Sequence, residues 1–441
     1  AVQESLGHES PRVRAEAVKA LLGHRMSGEG ETVSRFLEAP EEELRRAAVH
    51  YRLAFGPERE RFAREALEND KLRDSALDIM AERPELAHGA VTLEWVDARI
   101  KRGSVQDLLD AARALVHVPG ERGAERLRIL LHHADPEVRR GALRAIALRP
   151  DASFLEEVTA LLGDRDVGPD ARNAMVAFGE AAVPRLARLA SEGKTNTVRW
   201  LASMALARVR TKGARRVLLD LARSSDPVAR YHGLRNLNRI GARIGRRLVS
   251  RPLALRMFLR EIRELKTSVE PWRILRTAST TNAASGPALE LLAASYRESA
   301  DRALERSLRA LGLHHDPRPF RAVYEALRTA DSREATSRAM EYLAQMLPRK
   351  VFRVTQEVLD RWLRDEPEGE EPPDVEGVVR KAREADDAWL RACAVRAAHE
   401  HPEYDRALLR VREDDGPIVR DELRAGVALG GNGRRSDADR S

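Results

Sequence analysis

Three features of this sequence have residue types and spacing that could support chemistry: a Gly-Lys-Thr tripeptide, paired histidines and one cysteine. Gly193-Lys194-Thr195 has the ending of a phosphate-cradling loop. That loop needs a glycine five residues before the Gly-Lys pair, where this chain has Arg188. It also needs a preceding strand, whereas "VPRLARLASE" reads as helix, so the tripeptide is expected to be a turn between helices. His132-His133 and His314-His315 each sit just before an Asp-Pro pair, where imidazoles complement the carbonyl end of a helix. No His-x-x-x-His spacing places two metal ligands on one helix face. Cys393 lies in "WLRACAVRAA", in register with Trp389, Leu390, Ala394 and Ala397, which reads as a buried small hydrophobe. A cysteine nucleophile needs a base and a group to orient that base, and the sequence supplies neither. The expectation is no catalytic residue, no cofactor, no metal and therefore no enzyme.

The stronger signal is a repeated element. "DPEVRRGALRAIAL" begins at Asp135, whose carboxylate suits an N-cap; Pro136 follows at the first helical position, where no N–H is needed. Val138, Ala142, Ala145 and Ile146 then share one helical face. Related runs start near Glu9, Ser225, Asp387 and Asp414, with fainter ones near Glu41, Asp70, Gly168 and Lys194. Each carries an arginine at the same place: Arg14, Arg45, Arg73, Arg139, Arg172, Arg199, Arg230, Arg391 and Arg420. Where copies are consecutive, these arginines are 27 to 33 residues apart. Amphipathic runs such as "ERFAREAL", "SFLEEVTALL" and "AVPRLARLA" fall between them, so each unit is a helix pair. One pair cannot bury its apolar face alone, and pairs must stack. Asp135, Asp226 and Asp387 are expected to be caps. Arg139, Arg199, Arg230, Arg391 and Arg420 are expected to be structural, each paired with a carboxylate or carbonyl of a neighbouring unit.

The D-P-x-V-R start followed by A-x-x-A-L resembles HEAT repeats. The short period resembles the bacterial subtype first named for phycobilisome lyases. The resemblance implies an all-α, right-handed solenoid of stacked antiparallel helix pairs, of the armadillo-type superhelix class. From about Asp226 to Gly426, including Ala303 to Asp360 and "DDAWLRACAVRAA" at Asp386, the chain resembles a soluble HEAT region of certain bacterial proteins. In those proteins the region is joined to an ADP/ATP-translocase-like transporter module. That resemblance implies a cytoplasmic module, with a transporter-like part on the same polypeptide and an unidentified protein partner. His8-Glu9 and His399-Glu400 resemble the His-Glu pairs of deoxyhypusine hydroxylase, a HEAT-like iron enzyme. That family uses four such pairs and this chain has two, so the resemblance does not reach a metal site.

The array is expected to run over residues 1–430, with an irregular stretch at 241–286 where "RPLALRMFLREIREL" and "EPWRILRTA" suggest longer, less regular helices, an exposed acidic loop at 365–374 and a disordered tail at 431–441. The chain starts at Ala1 inside a helical pattern, which suggests a piece of a longer protein. No apolar run approaches the ~18 residues of a membrane span. Charge is uneven: residues 208–263 hold sixteen basic residues and three acidic ones, a net +13 within a chain of net +7. Arginines outnumber lysines sixty-nine to eight, so compositional bias also explains a solvated arginine face. The functional alternative is a binding surface on Arg239, Arg243, Arg246, Arg247, Arg251, Arg256 and Arg260. It would meet an acidic protein segment, an anionic membrane surface or nucleic acid. Tyr231 and Phe258 are the only aromatics in this band, few for base stacking. The leading expectation is a non-enzymatic scaffold for protein–protein interaction. Nucleic-acid or membrane binding through the band comes next, and a repeat-scaffold enzyme last.

Overall fold

A computed structural model describes residues 2–245, 247–280, 286–329, 332–364 and 374–432. Among these residues all regular secondary structure is helical, so the chain is all-α. Arg246, residues 365–373 of the expected acidic loop and residues 433–441 of the expected tail lie outside the described residues. Residues 431–432, read from the sequence as the start of the tail, close the helix Pro417–Asn432. The chain divides into two compact units, Ala1–Leu221 and Ala222–Ser441.

In the first unit one helix of each pair packs on its counterpart in the next pair, in chain order. Pro11–Gly23 touches Glu42–Phe55, which touches Arg73–Glu82; then follow Val105–Ala114, Pro136–Leu148, Gly168–Ala177 and Asn196–Val209, all but Val105–Ala114 carrying a repeat arginine. Between them Arg59–Glu68, Leu93–Arg102, Glu121–Leu131 and Val183–Glu192 each pack on the helix that follows. Small residues allow this approach. A Cβ on Gly141 would come 2.8 Å from Leu109, so the facing helices meet nearly backbone to side chain. The contact stripe is otherwise Ala, Leu and Val, including Ala111, Ala112, Ala142 and Ala174, all fully buried.

The helix starts obey local rules. Asp135, Asp226 and Asp387 each accept a 2.8 Å hydrogen bond from the N–H two residues on. Two histidines add a second local device: His8 and His133 each accept, through Nδ1, the N–H of the cap residue that follows at Ser10 and Asp135, both at 3.0 Å. Gly193 and Thr195 form an inter-helix turn, with Thr195 Oγ1 capping Val198 N at 3.3 Å.

In six of its copies the repeat arginine has the same backward reach. Five and six residues earlier lie the last carbonyls of the preceding turn, which have no helical partner of their own. Arg14 donates to the carbonyls of His8 and Glu9 (2.9 and 3.1 Å). Arg45 donates to Ala39 and Pro40 (2.7 and 2.6 Å), and Arg73 to Leu67 and Glu68 (2.7 and 3.1 Å). Arg230 does the same to Ser224 and Ser225 (3.2 and 2.6 Å). Arg139 and Arg391 reach His133 and Ala385 (3.5 and 3.4 Å). Arg199 bonds instead to Ala190, nine residues back, at 3.4 Å. Arg420 stands apart, with an exposed side chain. Several of these arginines also reach forward to an acid in the following element: Arg139 to Asp164 (3.3 Å), Arg230 to Glu261 (2.6 Å) and Arg391 to Asp414 (2.9 Å). A guanidinium with five fixed donors is suited to bridging both ways.

The second unit is built around Pro287–Leu311. That helix packs against Pro227–Ile244, Arg251–Thr280, Pro317–Thr329 and Ala388–Glu400. The stretch expected to be irregular is mostly one helix of 30 residues, Arg251–Thr280, with the buried Pro271 inside it. Glu400 Oε2 accepts from Ala288 N at 2.9 Å, which gives it a capping role at the start of Pro287–Leu311. Cys393 is buried, and burial raises its thiol above its ordinary pKa.

Two buried carboxylates respond to pH in opposite senses. Asp415, fully buried, receives both terminal nitrogens of Arg383 at 2.7 Å, and this hydrogen bonding holds its carboxyl below its usual pKa. Its stabilising contribution is present above the ordinary carboxylate pKa of about 4 and fades as pH falls through the lower folded value. Asp110 in the first unit is also buried, but only Gln106 hydrogen-bonds it (3.0 Å) and Arg73 stays 3.9 Å away. Burial raises its pKa, so the ionised form costs stability once pH exceeds the ordinary value. Asp415→Ala is expected to cost about 3–5 kcal/mol at neutral pH, because it strands a buried guanidinium. Asp110→Asn is expected to be neutral or stabilising at neutral pH. Denaturant titrations of both variants from pH 3 to 8 check this; a large loss for Asp110→Asn at pH 7 would contradict it.

Candidate functional site: an arginine–tyrosine groove

The site is positioned by a buried ion network. Arg230, 1% exposed, donates Nε to Glu261 Oε1 at 2.6 Å; Arg306, 5% exposed, donates Nε to Glu261 Oε2 at 2.6 Å. Both arginines also bond Glu264, Arg306 at 3.0 Å. Glu261 is itself 1% exposed, so both of its oxygens are neutralised away from water. The network fastens Pro227–Ile244, Arg251–Thr280 and Pro287–Leu311 to one another. Charges this deep need every partner in place, and removing one leaves the others stranded. Buried Asn238 adds a second tie, donating Nδ2 to the carbonyls of Leu234 (2.8 Å) and Arg309 (2.7 Å).

The helices Pro227–Ile244, Pro287–Leu311 and Pro317–Thr329 line a groove of about 520 Å³. Five arginines face it: Arg235, Arg239, Arg309, Arg318 and Arg321. Tyr231, Tyr324 and Phe320 supply aromatic surface, and Glu305 and Glu325 supply its carboxylates. The arginines are not equivalent. Arg309 is paired with Glu305 (3.0 Å from Nε), and Arg318 grips Asp316 with contacts of 2.7 to 3.0 Å. Arg239 and Arg321 are exposed and have no ion-pair partner among the described residues. Arg235 lies 5.8 Å from the Tyr231 ring centroid, and Arg309 5.6 Å from the same ring. Tyr324 donates its hydroxyl to Asp301 Oδ2 at 3.0 Å; burial and this carboxylate raise the phenol's pKa. Asp301 is raised in turn, chiefly by burial.

The expected basic surface separates into several environments. Arg239 lines the groove, and Arg243 is exposed four residues on along the same helix. Arg247 and Arg251 lie near His315, whose pKa is lowered first by burial and then by His314 and these two charges. Arg251 is exposed and donates to the Met346 carbonyl at 3.4 Å. Arg256 is exposed. Arg260 is half-buried; it donates to the Arg223 carbonyl at 3.0 Å and faces Glu264 at 3.8 Å. Sequence reasoning missed the groove's far wall, Arg318, Phe320, Arg321 and Tyr324. The "DPRPFRAVYEALR" run beginning at Asp316 carries these residues openly. Its proximity to Tyr231 is tertiary information.

The histidine candidates remain apart. His399, half-buried, has its pKa lowered mainly by burial. His132 Nδ1 sits 2.9 Å from the Arg128 carbonyl and His314 Nδ1 3.0 Å from that of Val249. Among the described residues no group of three or more His, Cys, Asp or Glu is placed to hold a metal.

Arg235, Arg239 and Arg243 recur one helical turn apart, and like charges at that spacing destabilise a helix. Arg239→Glu replaces two repulsions by two attractions. The expected outcome is a gain of roughly 0.5 kcal/mol in thermal or denaturant unfolding. A loss of more than 1 kcal/mol would show that Arg239 is needed by the fold.

No protein-family model matches this sequence, and no curated protein matches it. Among solved structures it is similar to an engineered protein from a structural genomics programme. The identity is 17%, covering 82% of this chain and 98% of that one, with a TM-score of 0.25. A superposition that weak carries no argument about fold or function.

Proposed function

We propose that this chain is a non-enzymatic scaffold of the HEAT-like kind, a right-handed solenoid of antiparallel helix pairs that binds a protein partner. The observation that supports the reading is the repeat arginine, which returns at 27 to 33 residues where copies are consecutive and in six copies spans five or six residues back to the preceding turn. A unit closed by the same contact each time builds a surface that lengthens by addition, and such surfaces suit extended ligands. The proposal places it on the cytoplasmic side, with a transporter-like module on the same polypeptide. No helix among the described residues is long and apolar enough to cross a membrane.

A second reading is favoured by Arg239, Arg243, Arg247 and Arg256, which are exposed and have no ion-pair partner among the described residues. Here the surface meets nucleic acid or an anionic membrane. The two readings separate on salt dependence, because binding by phosphate neutralisation weakens steeply with added salt and ignores sequence.

Crosslinking of the chain in extract of its own host, with unlabelled chain as competitor, tests the scaffold reading. The expected result is a small, reproducible and competable set of proteins. Binding to random duplex DNA or anionic vesicles with a steep salt slope, and no competable protein, would replace it with the second reading. Turnover of a small molecule by the purified chain would overturn both.

A further inference from the structure

We infer that the groove between Tyr231 and Tyr324 is a docking site for an acidic, partly apolar peptide segment of the partner protein; the inference rests on the scaffold reading. Five guanidiniums face the groove against two carboxylates. Arg309 and Arg318 are held by Glu305 and Asp316, which leaves Arg235, Arg239 and Arg321 without a carboxylate partner among the described residues. Arg235, Arg239 and Arg243 follow one another at four-residue steps, a rise of about 6 Å each. The fold keeps that stripe despite its self-repulsion, and a ligand bearing anions at a matching spacing relieves it. Carboxylates on successive turns of a helix, or on alternate residues of an extended strand, recur at nearly that interval. Guanidinium and carboxylate are matched for paired hydrogen bonds.

The remaining lining decides between peptide and nucleic acid. The groove's base is apolar, with Leu308 and Phe320 each 2% exposed and Ala242 and Pro317 beside them. A peptide can set apolar side chains on such a base between its carboxylates, whereas a phosphodiester chain has none to offer. The aromatic faces are already engaged: Arg235 and Arg309 flank Tyr231, and Arg328 lies 6.0 Å from the Tyr324 ring centroid. Bases that need open rings for stacking find few here. Glu305 and Glu325 in the wall oppose an evenly charged polyanion more than a peptide whose charges are spaced. A volume of about 520 Å³ fits a few side chains, as expected of a short anchoring segment.

The test is fluorescence anisotropy of a labelled peptide with alternating Glu and Leu pairs, titrated with the intact chain. Arg239→Glu/Arg321→Glu is compared with Arg349→Glu/Arg353→Glu, which makes the same charge change on exposed positions outside the groove. Circular dichroism and Tm confirm that each variant folds. The expected result is saturable binding weakened about tenfold or more by the groove variant, and less than about twofold by the control, in line with loss of charge-assisted contacts. Absence of binding at low salt, or equal weakening by both variants, overturns the inference. So does tighter binding of oligothymidylate that is lost in the groove variant, which would make nucleic acid the occupant. If the peptide fails while crosslinking still captures a competable partner elsewhere, the docking site falls and the scaffold reading stands.

Discussion

The structure depends on a single side chain used repeatedly: an arginine near the start of one helix in most of the repeated pairs. Its backbone opens one helix while its guanidinium closes the turn before it. In Arg139, Arg230 and Arg391 the same group also reaches an acid of the following element. Each of these three ties three successive pieces of chain together. The hydrophobic stripe of Ala, Leu and Val is non-directional and tolerates sliding between helices. Charge-assisted bonds to fixed carbonyls do not, and they supply the register that apolar packing lacks.

The network at Arg230 takes this furthest. Elsewhere the forward partner is a surface or turn acid such as Asp164 or Asp414. Here it is Glu261, buried on a long helix and shared with Arg306. The tightest version of the repeat contact therefore joins two of the helices that line the groove, Pro227–Ile244 and Pro287–Leu311, through Glu261. The same helix that sends Arg230 inward carries Arg235 and Arg239 toward the groove. One arginine-rich segment divides into charges used by the fold and charges left for something else.

Much of the fold was legible because its determinants are local. Asp135, Asp226 and Asp387 act as caps within two residues of themselves. The repeat arginines stand out in sequence because their backward partners lie five or six residues away. Arg420 matches the pattern yet is exposed, since a motif records a position and not its neighbours. The stretch at 241–286 looked irregular because a long helix packed against several others needs no clean amphipathic period. The groove was not legible at all. Tyr231 and Tyr324 are ninety-three positions apart in sequence, and packing of their helices on Pro287–Leu311 and on each other brings them together. The basic band was legible only as a sum: net charge by segment cannot separate exposed Arg239 from Arg260, which is half-buried against a carbonyl and Glu264.

The central claim is that the repeat arginine couples successive elements energetically and is not merely a solvated charge. A double-mutant cycle on Arg230 and Glu261, read by equilibrium unfolding, tests it most directly. Arg230→Met and Glu261→Gln are each expected to cost about 3–5 kcal/mol, since each strands a buried partner. The double variant should cost far less than their sum, with a coupling of about 2 kcal/mol or more. Additivity within about 0.5 kcal/mol would contradict the account and leave the helices held by apolar packing alone.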